Sequence, residues 1–397
     1  MKIAIITENF LPKVDGVTRT LVRLLEHLAF KNHQVLLLGP ETNTQIYAGA
    51  ELVGTFGIPL FVYPELKCNF WRPKLTEKLL AFQPDVIHLV DPVFLGGFGL
   101  AVIRYYLPTT PIVSSYHTNL AVYCHHFGFG FLSSIMWSWN RYCHSFSQFI
   151  ACPSASTKAM LEHHQFDHVR IWPRGVDVTL FSPQQRSQLL RSQWIGNTDK
   201  KIILYVGRVS FEKNIRLLIE AYKKMNHHQC HLVLVGDGPA LEDIRSYCTI
   251  LDIPVTLTGY LQGIELAQTY ASADIFAFPS VTETFGQVVL EAMASGLPVI
   301  GLQAEGVKDL VVNQKTGLLL DPTGLDLKNQ VAKYRCLLEG LVDQPYALKA
   351  MSQHAIEHAK QYTWYEAMEC MVQLYHQAAS NDPNYDSGVE EDYLVKS

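Results

Sequence analysis

The sequence predicts an α/β protein made of two doubly wound, parallel-sheet domains. Three observations carry that expectation. Short apolar runs of strand length alternate with longer stretches of helical period, the pattern of parallel strands joined by right-handed crossovers. The alternation pauses near the middle of the chain and starts again. The length of 397 residues suits two or three domains, each long enough for a full core.

The first apolar run, Ile3–Ile6, is cut off by Glu8, so it reads as a buried strand and not as a signal peptide. Thr18–Phe30 follows with helical spacing. Further strands are expected at Val35–Leu38, Val86–Val90, Ile112–Ser115 and Phe149–Cys152. After Phe181-Ser182-Pro183 and a glutamine-rich stretch, a second set begins: Ile202–Val206, Leu232–Val235, Val255–Leu257, Ile275–Phe278 and Pro298–Gly301. These place a first domain at 1–180 and a second at 181–360, with ligands expected at strand carboxyl ends in the cleft between them. Trp364 to Ala378 reads as a closing helix within a 361–379 segment, and the acidic, polar tail 380–397 as disordered.

Composition excludes several classes. A net charge of −5 argues against a general nucleic-acid binder. Eight scattered cysteines without a C-x-x-C pair suit neither a disulfide framework nor a zinc site, which favours a reducing, cytoplasmic setting. No apolar run reaches transmembrane length, so any membrane contact is expected to be peripheral. Paired histidines at His125-His126, His163-His164 and His227-His228 lack zinc-protease spacing.

The most informative segment is Glu283-Thr284-Phe285-Gly286-Gln287-Val288-Val289-Leu290-Glu291. It leaves a buried strand and enters a helix that Gly296 and Pro298 stop. The amides of Thr284 to Gln287 then lie at a helix N-terminus, a natural phosphate cradle. A carboxylate on each side suits a hydroxyl-rich ligand. Two glutamates at this spacing also arise by chance on ordinary helices. Gly207-Arg208, followed by Lys213, leaves another strand; a planar guanidinium and a point charge there can clamp a diphosphate. A solvated loop with an Arg208–Glu212 ion pair explains the same residues.

These two segments resemble the donor-site signature of glycosyltransferase family 4, a family with the two-domain GT-B fold. The resemblance runs from about Lys2 to about Pro322. It implies a retaining transferase that moves a hexose from a UDP-sugar or GDP-mannose. It also implies that Gly16, ahead of the first long helix, lies against the donor phosphates, and that His117 in Ser114-Ser115-Tyr116-His117 lies beside the sugar. Arg208 and Lys213 match the pyrophosphate pattern, Glu283 would hold the sugar, Glu291 the ribose, and Leu261 the base. Each has a plainer reading. Asp15 can simply cap the first helix, Asp91 the helix after Pro92, and His117 can be structural. Asp15, Asp91 and Tyr123 are the acceptor-side candidates.

Val235-Gly236-Asp237-Gly238-Pro239 also matches the family; it reads as a structural turn with Asp237 as cap. Arg174 and Asp177 read as a hinge ion pair. The absence of a D-x-D triplet, together with Arg208 and Lys213, predicts donor binding without a metal or other cofactor. The wording of Ile3–Leu28, Arg170–Pro183 and Gly207–Lys213 is most similar to the branch that glycosylates diacylglycerol lipids, which implies a lipid or glycan acceptor. The aromatic run Tyr123, Phe127, Phe129, Phe131, Trp137, Trp139 and Tyr142 suits either core or a membrane-facing lip. An inactive binding or scaffold subunit and a nucleotide-sugar epimerase are the other classes compatible with the chain.

Overall fold

The computed structural model describes residues 1–12, 15–59, 67–119 and 130–380. The chain forms two compact units, Met1–Arg174 joined by the segment from Trp364 onward, and Gly175–Thr363.

In the first unit eight described strands form one sheet in the order Val169–Ile171, Phe149–Cys152, Ile112–Ser115, Val86–Val90, Lys2–Thr7, Gln34–Pro40, Ala50–Thr55 and Ile46–Tyr47. Every pairing is parallel except the last. Ile3 and Ile5 join one core cluster, and Ala4 and Ile6 the other, so both faces of the central strand are covered. The helix Gly16–Phe30 buries Leu21, Leu24, Leu25 and Leu28, a single stripe at helical spacing. Each such side chain contributes roughly 1.5–3 kcal/mol on burial.

The closing helix, Trp364–Ser380, packs in this unit. Its Met368, Met371, Val372 and Tyr375 share the core of the first helix. Glu369 adds 2.9 Å contacts to both His27 and Lys31.

The second unit holds six parallel strands in the order Val255–Gly259, Cys230–Val235, Lys201–Val206, Ile275–Phe278, Val299–Leu302 and Gly317–Leu320. All the main strands expected from apolar runs are present. The unexpected ones are Ile46–Tyr47, Ala50–Thr55, Val169–Ile171 and Gly317–Leu320, plus a ribbon of Gly57–Pro59 with Lys67–Asn69. They are short or broken by polar residues and glycine, which hides them from a periodicity argument. Gly317 shows why glycine stands in one of them: a Cβ there would sit 2.1 Å from the Val299 carbonyl oxygen.

Among its parallel strands, each sheet reverses its order at one place. In the first unit this falls between Lys2–Thr7 and Val86–Val90. In the second it falls between Lys201–Val206 and Ile275–Phe278. Crossovers leave opposite faces at such a point, so the loops at the strand carboxyl ends diverge and leave room for a ligand.

Candidate active site

The reversal point of the second unit gathers the charged motifs. Lys201–Val206 ends at Gly207, whose φ of 154° lies in the region that favours glycine. The Arg208 loop continues the sheet without strand geometry. Gly207 N–H donates to Val235 O at 3.1 Å, and Val209 N–H to Asp237 O at 2.9 Å. The glycines of the neighbouring loop make this approach possible. A Cβ on Gly236 would stand 1.9 Å from Gly207 O, and one on Gly238 2.4 Å from Val209 O. Tyr205, fully buried, donates its hydroxyl to Arg208 O at 2.8 Å and props the loop from beneath. The structural role expected of Gly236 to Pro239 is therefore seen. Asp237 does not cap the helix: that helix is Leu241–Ile250, and Asp237 Oδ1 accepts from Gly238 N–H at 2.7 Å.

Phe211–Lys213 forms a short helical turn, closed by Asn214 in the left-handed region. It aims Lys213 across the reversal point. Its Nζ lies 2.5 Å from Glu283 Oε1, and Ser280 Oγ donates to the same oxygen at 3.4 Å. A cation and a carboxylate from the two strand ends that flank the switch thus share one partly buried position. Gly306 presses on the Glu283 loop, where a Cβ would meet Glu283 O at 2.7 Å and Phe285 N at 2.9 Å.

The helix begins at Gln287 and runs to Ala294, with Gly286 as its left-handed N-cap. Phe285 points into the core, so only its backbone faces the loop side. The Gln287 side chain is tied down, its Nε2 donating to Gly175 O at 3.0 Å. Thr284 lies in the loop between Glu283 and this helix. Glu291 is buried one face further along and accepts from Tyr270 OH at 3.2 Å. Leu261 follows the edge strand Val255–Gly259 and is half-buried against the core.

In the first unit the expected residues fall into two groups. Asp15 is the N-cap of Gly16–Phe30, its Oδ1 accepting from Thr18 N–H at 2.8 Å. Among the described residues, no atom lies within 4 Å of where a side chain on Gly16 would begin. Asp91, His117 and a residue not anticipated, Glu8, cluster where the strands end.

Asp91 does not cap the following helix, Leu95–Tyr106. Its Oδ1 accepts from His117 N–H at 2.7 Å, and its Oδ2 from Thr118 Oγ1 at 2.9 Å. Burial outweighs these bonds and lifts its pKa to about 6. Glu8 does the capping instead. Its Oε1 accepts from Phe94 N–H at 2.9 Å and Gly96 N–H at 3.3 Å. Its Oε2 is buried with no hydrogen-bond partner among the described residues, and burial raises the carboxyl to about 7. A cap supplied from a different strand leaves no trace in the local sequence around Leu95.

His117 is buried with both ring nitrogens engaged. Nε2 lies 2.8 Å from Ser115 Oγ, and Nδ1 lies 3.0 Å from an Arg174 nitrogen. Arg174 therefore makes no hinge pair with Asp177. Its other hydrogen bonds go to the carbonyls of Trp172 and Pro173, and Asp177 closes its own turn onto Thr179 and Leu180. Tyr123 lies outside the described residues, as do His125, His126, Phe127, Phe129 and the 381–397 tail. Among the described residues no cluster of His, Cys, Asp or Glu could hold a metal ion, and no helix is long and apolar enough to cross a membrane.

Two α/β units, each with a largely parallel sheet that reverses its strand order, are the architecture of the GT-B fold of glycosyltransferases. Residues 14–180 match the model of Glycosyltransferase Family 4, and residues 187–358 that of Glycosyl transferases group 1. The chain belongs to glycosyltransferase family 4 and is a retaining hexosyltransferase that draws on a nucleotide sugar. It is 38% identical to a GDP-mannose-dependent alpha-mannosyltransferase of Mycolicibacterium smegmatis, over 82% of this chain and 86% of that one. It is 34% identical to the sulfoquinovosyl transferase SQD2 of Arabidopsis thaliana, over 88% and 68% of the two chains. The fold matches the sucrose-phosphate synthase of Thermosynechococcus elongatus with a TM-score of 0.78 at 22% identity, covering 96% of this chain and all of that one.

Proposed function

We propose that the chain transfers a hexose from GDP-mannose or a UDP-sugar to a hydroxyl of a lipid or glycolipid. The observation that carries this reading is the Lys213–Glu283 pair at the reversal point, beside the Gly207 loop and the helix that starts at Gln287. Arg208 and Lys213, with the backbone amides from Thr284 to Gln287, hold the diphosphate. Glu283 orients the sugar hydroxyls, and Glu291, steadied by Tyr270, takes the ribose. Leu261 packs on the base. From the first unit, Gly16 offers its open backbone to phosphate and His117 serves the sugar.

As the glycosidic bond to the diphosphate lengthens, charge builds on the leaving oxygen. The guanidinium of Arg208 and the ammonium of Lys213 are preorganised against that charge. The acceptor hydroxyl enters on the face the leaving group quits, and the departing phosphate oxygen takes its proton. His117 is no general base in this scheme, because burial and then the Arg174 charge hold its pKa well below the usual histidine range and both nitrogens are engaged. Two cations and helix amides supply the charge neutralisation, so the scheme needs no metal ion. Turnover that survives a chelator agrees with it; turnover restored only by a divalent cation contradicts it.

The lipid reading draws support from the names of the relatives and from exposed aromatic and aliphatic side chains in the first unit. Phe98, Tyr105, Tyr106, Phe131, Ile135 and Tyr142 are all exposed, a composition suited to peripheral contact with a membrane. Asp15 and Asp91 are the acceptor-side candidates, and the setting is cytoplasmic.

A thermal-shift panel of UDP, GDP, ADP and their sugars tests the donor site. A selective rise with one nucleotide, weakened in Glu291→Ala, supports the reading and names the base. No rise with any nucleotide at millimolar concentration favours an inactive binding subunit.

A further inference from the structure

We propose that Arg174 is a positioning residue for His117, fixing the ring as the neutral tautomer with its proton on Nε2. This deepens the reading of His117 as a sugar-side residue and rests on it. A guanidinium only donates, so the His117 Nδ1 that it meets at 3.0 Å must be bare and accepting. A neutral imidazole then carries its proton on Nε2, which donates to Ser115 Oγ at 2.8 Å.

The hydrogen bonds run on through the core. Ser115 Oγ also lies 2.8 Å from His88 Nε2. Having accepted from His117, the hydroxyl gives its own proton to His88. His88 is left with its proton on Nδ1, facing Tyr375 OH at 2.7 Å. Every bond from Arg174 to Tyr375 thus points the same way. The far end stands on the closing helix Trp364–Ser380.

The surroundings lock the near end. Arg174 is buried, donates to two backbone carbonyls and lies with its charge 4.3 Å from the Trp172 ring centroid. Among the described residues it makes no ion pair, so a costly buried cation is retained beside a neutral ring. Trp172 also meets the edges of His117 and His88 at 5.6 and 5.9 Å. The His117 backbone is held separately by Asp91. Among the described residues, the titratable or charged groups that act on the ring include Arg174, His88, His144 and, through the backbone, Asp91. Burial lowers the His117 pKa first and the Arg174 charge next, which agrees with a ring kept neutral.

The test combines ring ¹⁵N NMR with a pH–rate profile. His117 signals, assigned by their loss in His117→Gln, are read from pH 5 to 8 in the wild type. A neutral ring protonated on Nε2 throughout supports the proposal. A ring protonated on Nδ1, or one that titrates in this range, overturns it. Arg174→Met removes the donor and the charge but keeps apolar bulk. It is expected to free the ring, so that part of its proton moves to Nδ1 and the kcat/KM profile falls at least tenfold, with Arg174→Lys restoring part of both. Turnover is followed with GDP-mannose or UDP-glucose, whichever stabilises the protein. An unchanged profile in Arg174→Met overturns the positioning role. If Arg174→Met does not fold, the wild-type spectrum alone decides. Failure of the sugar-side reading shows differently: His117→Ala then turns over donor at the wild-type rate, whatever the spectrum says of the tautomer.

Discussion

Lys213 Nζ and Glu283 Oε1 meet at 2.5 Å although 70 residues separate them in the chain. One follows the strand Lys201–Val206 and the other follows Ile275–Phe278, the two strands at which the second sheet reverses. The pair puts the cation proposed for the diphosphate in contact with the carboxylate proposed for the sugar. The contact holds both side chains in place at the reversal point.

Substituting either partner is therefore expected to cost catalysis more than folding. Lys213→Ala should lower kcat by roughly 100- to 1,000-fold, the usual loss when one charge-stabilising group is removed from a transition state. Glu283→Gln should lower kcat less than Lys213→Ala while leaving the nucleotide-induced thermal shift intact, because its proposed part is with the sugar. Steady-state rates beside melting curves check both. Wild-type rates in Lys213→Ala would remove the cation from the mechanism.

Gly306→Ala probes the loop without touching a charge. Gly306 has φ of 75°, and a methyl there meets the backbone of Glu283 and Phe285. The substitution should cost about 1–3 kcal/mol of stability from the strained backbone alone. It should also weaken nucleotide binding, since the displaced backbone is the one that leads into Gln287. Denaturant unfolding and the nucleotide panel on the same variant separate the two effects. Unchanged values in both would mean that the loop yields freely.

Glu8 makes stability depend on pH in a defined direction. Its carboxyl is raised from 4.5 to about 7 in the folded chain by burial. Between those values the folded state holds a proton that the unfolded state has lost, so stability falls as pH rises from about 4.5 to about 7 and is level above. The full effect is about 3 kcal/mol for a shift of this size. Asp91, raised from 3.8 to about 6, adds a fall of the same sign at lower pH. Glu8→Gln keeps an acceptor for Phe94 and Gly96 and cannot ionise. It should flatten the decline between pH 5 and 7, as read by denaturant midpoints. An equally steep decline in the variant would show that Glu8 does not titrate there.

Much of the fold was legible because parallel strands buried on both faces must be apolar runs, and Ile275–Phe278 or Val86–Val90 could be read to the residue. The short edge strands escaped because Ala50–Thr55 carries Glu51 and Gly54, and Val169–Ile171 spans one polar side chain among three. The loops bearing Arg208, Lys213 and Glu283, and the helix bearing Glu291, were legible as well, since each follows a recognisable strand and carries residue types suited to a diphosphate or a hydroxyl. Asp15 was readable as a helix cap from its place alone.

The sequence by itself determined the α/β class, the two sets of strands and the loops that carry charge, because these depend on local pattern. Tertiary structure alone decided the partners. It joined Lys213 to Glu283, set Glu8 on the amides of Phe94 and Gly96, and turned Arg174 from Asp177 to His117. The reason is geometric. Which strand ends become neighbours follows from the order of strands in the sheet, and a side chain's partner follows from that order, not from any spacing along the chain.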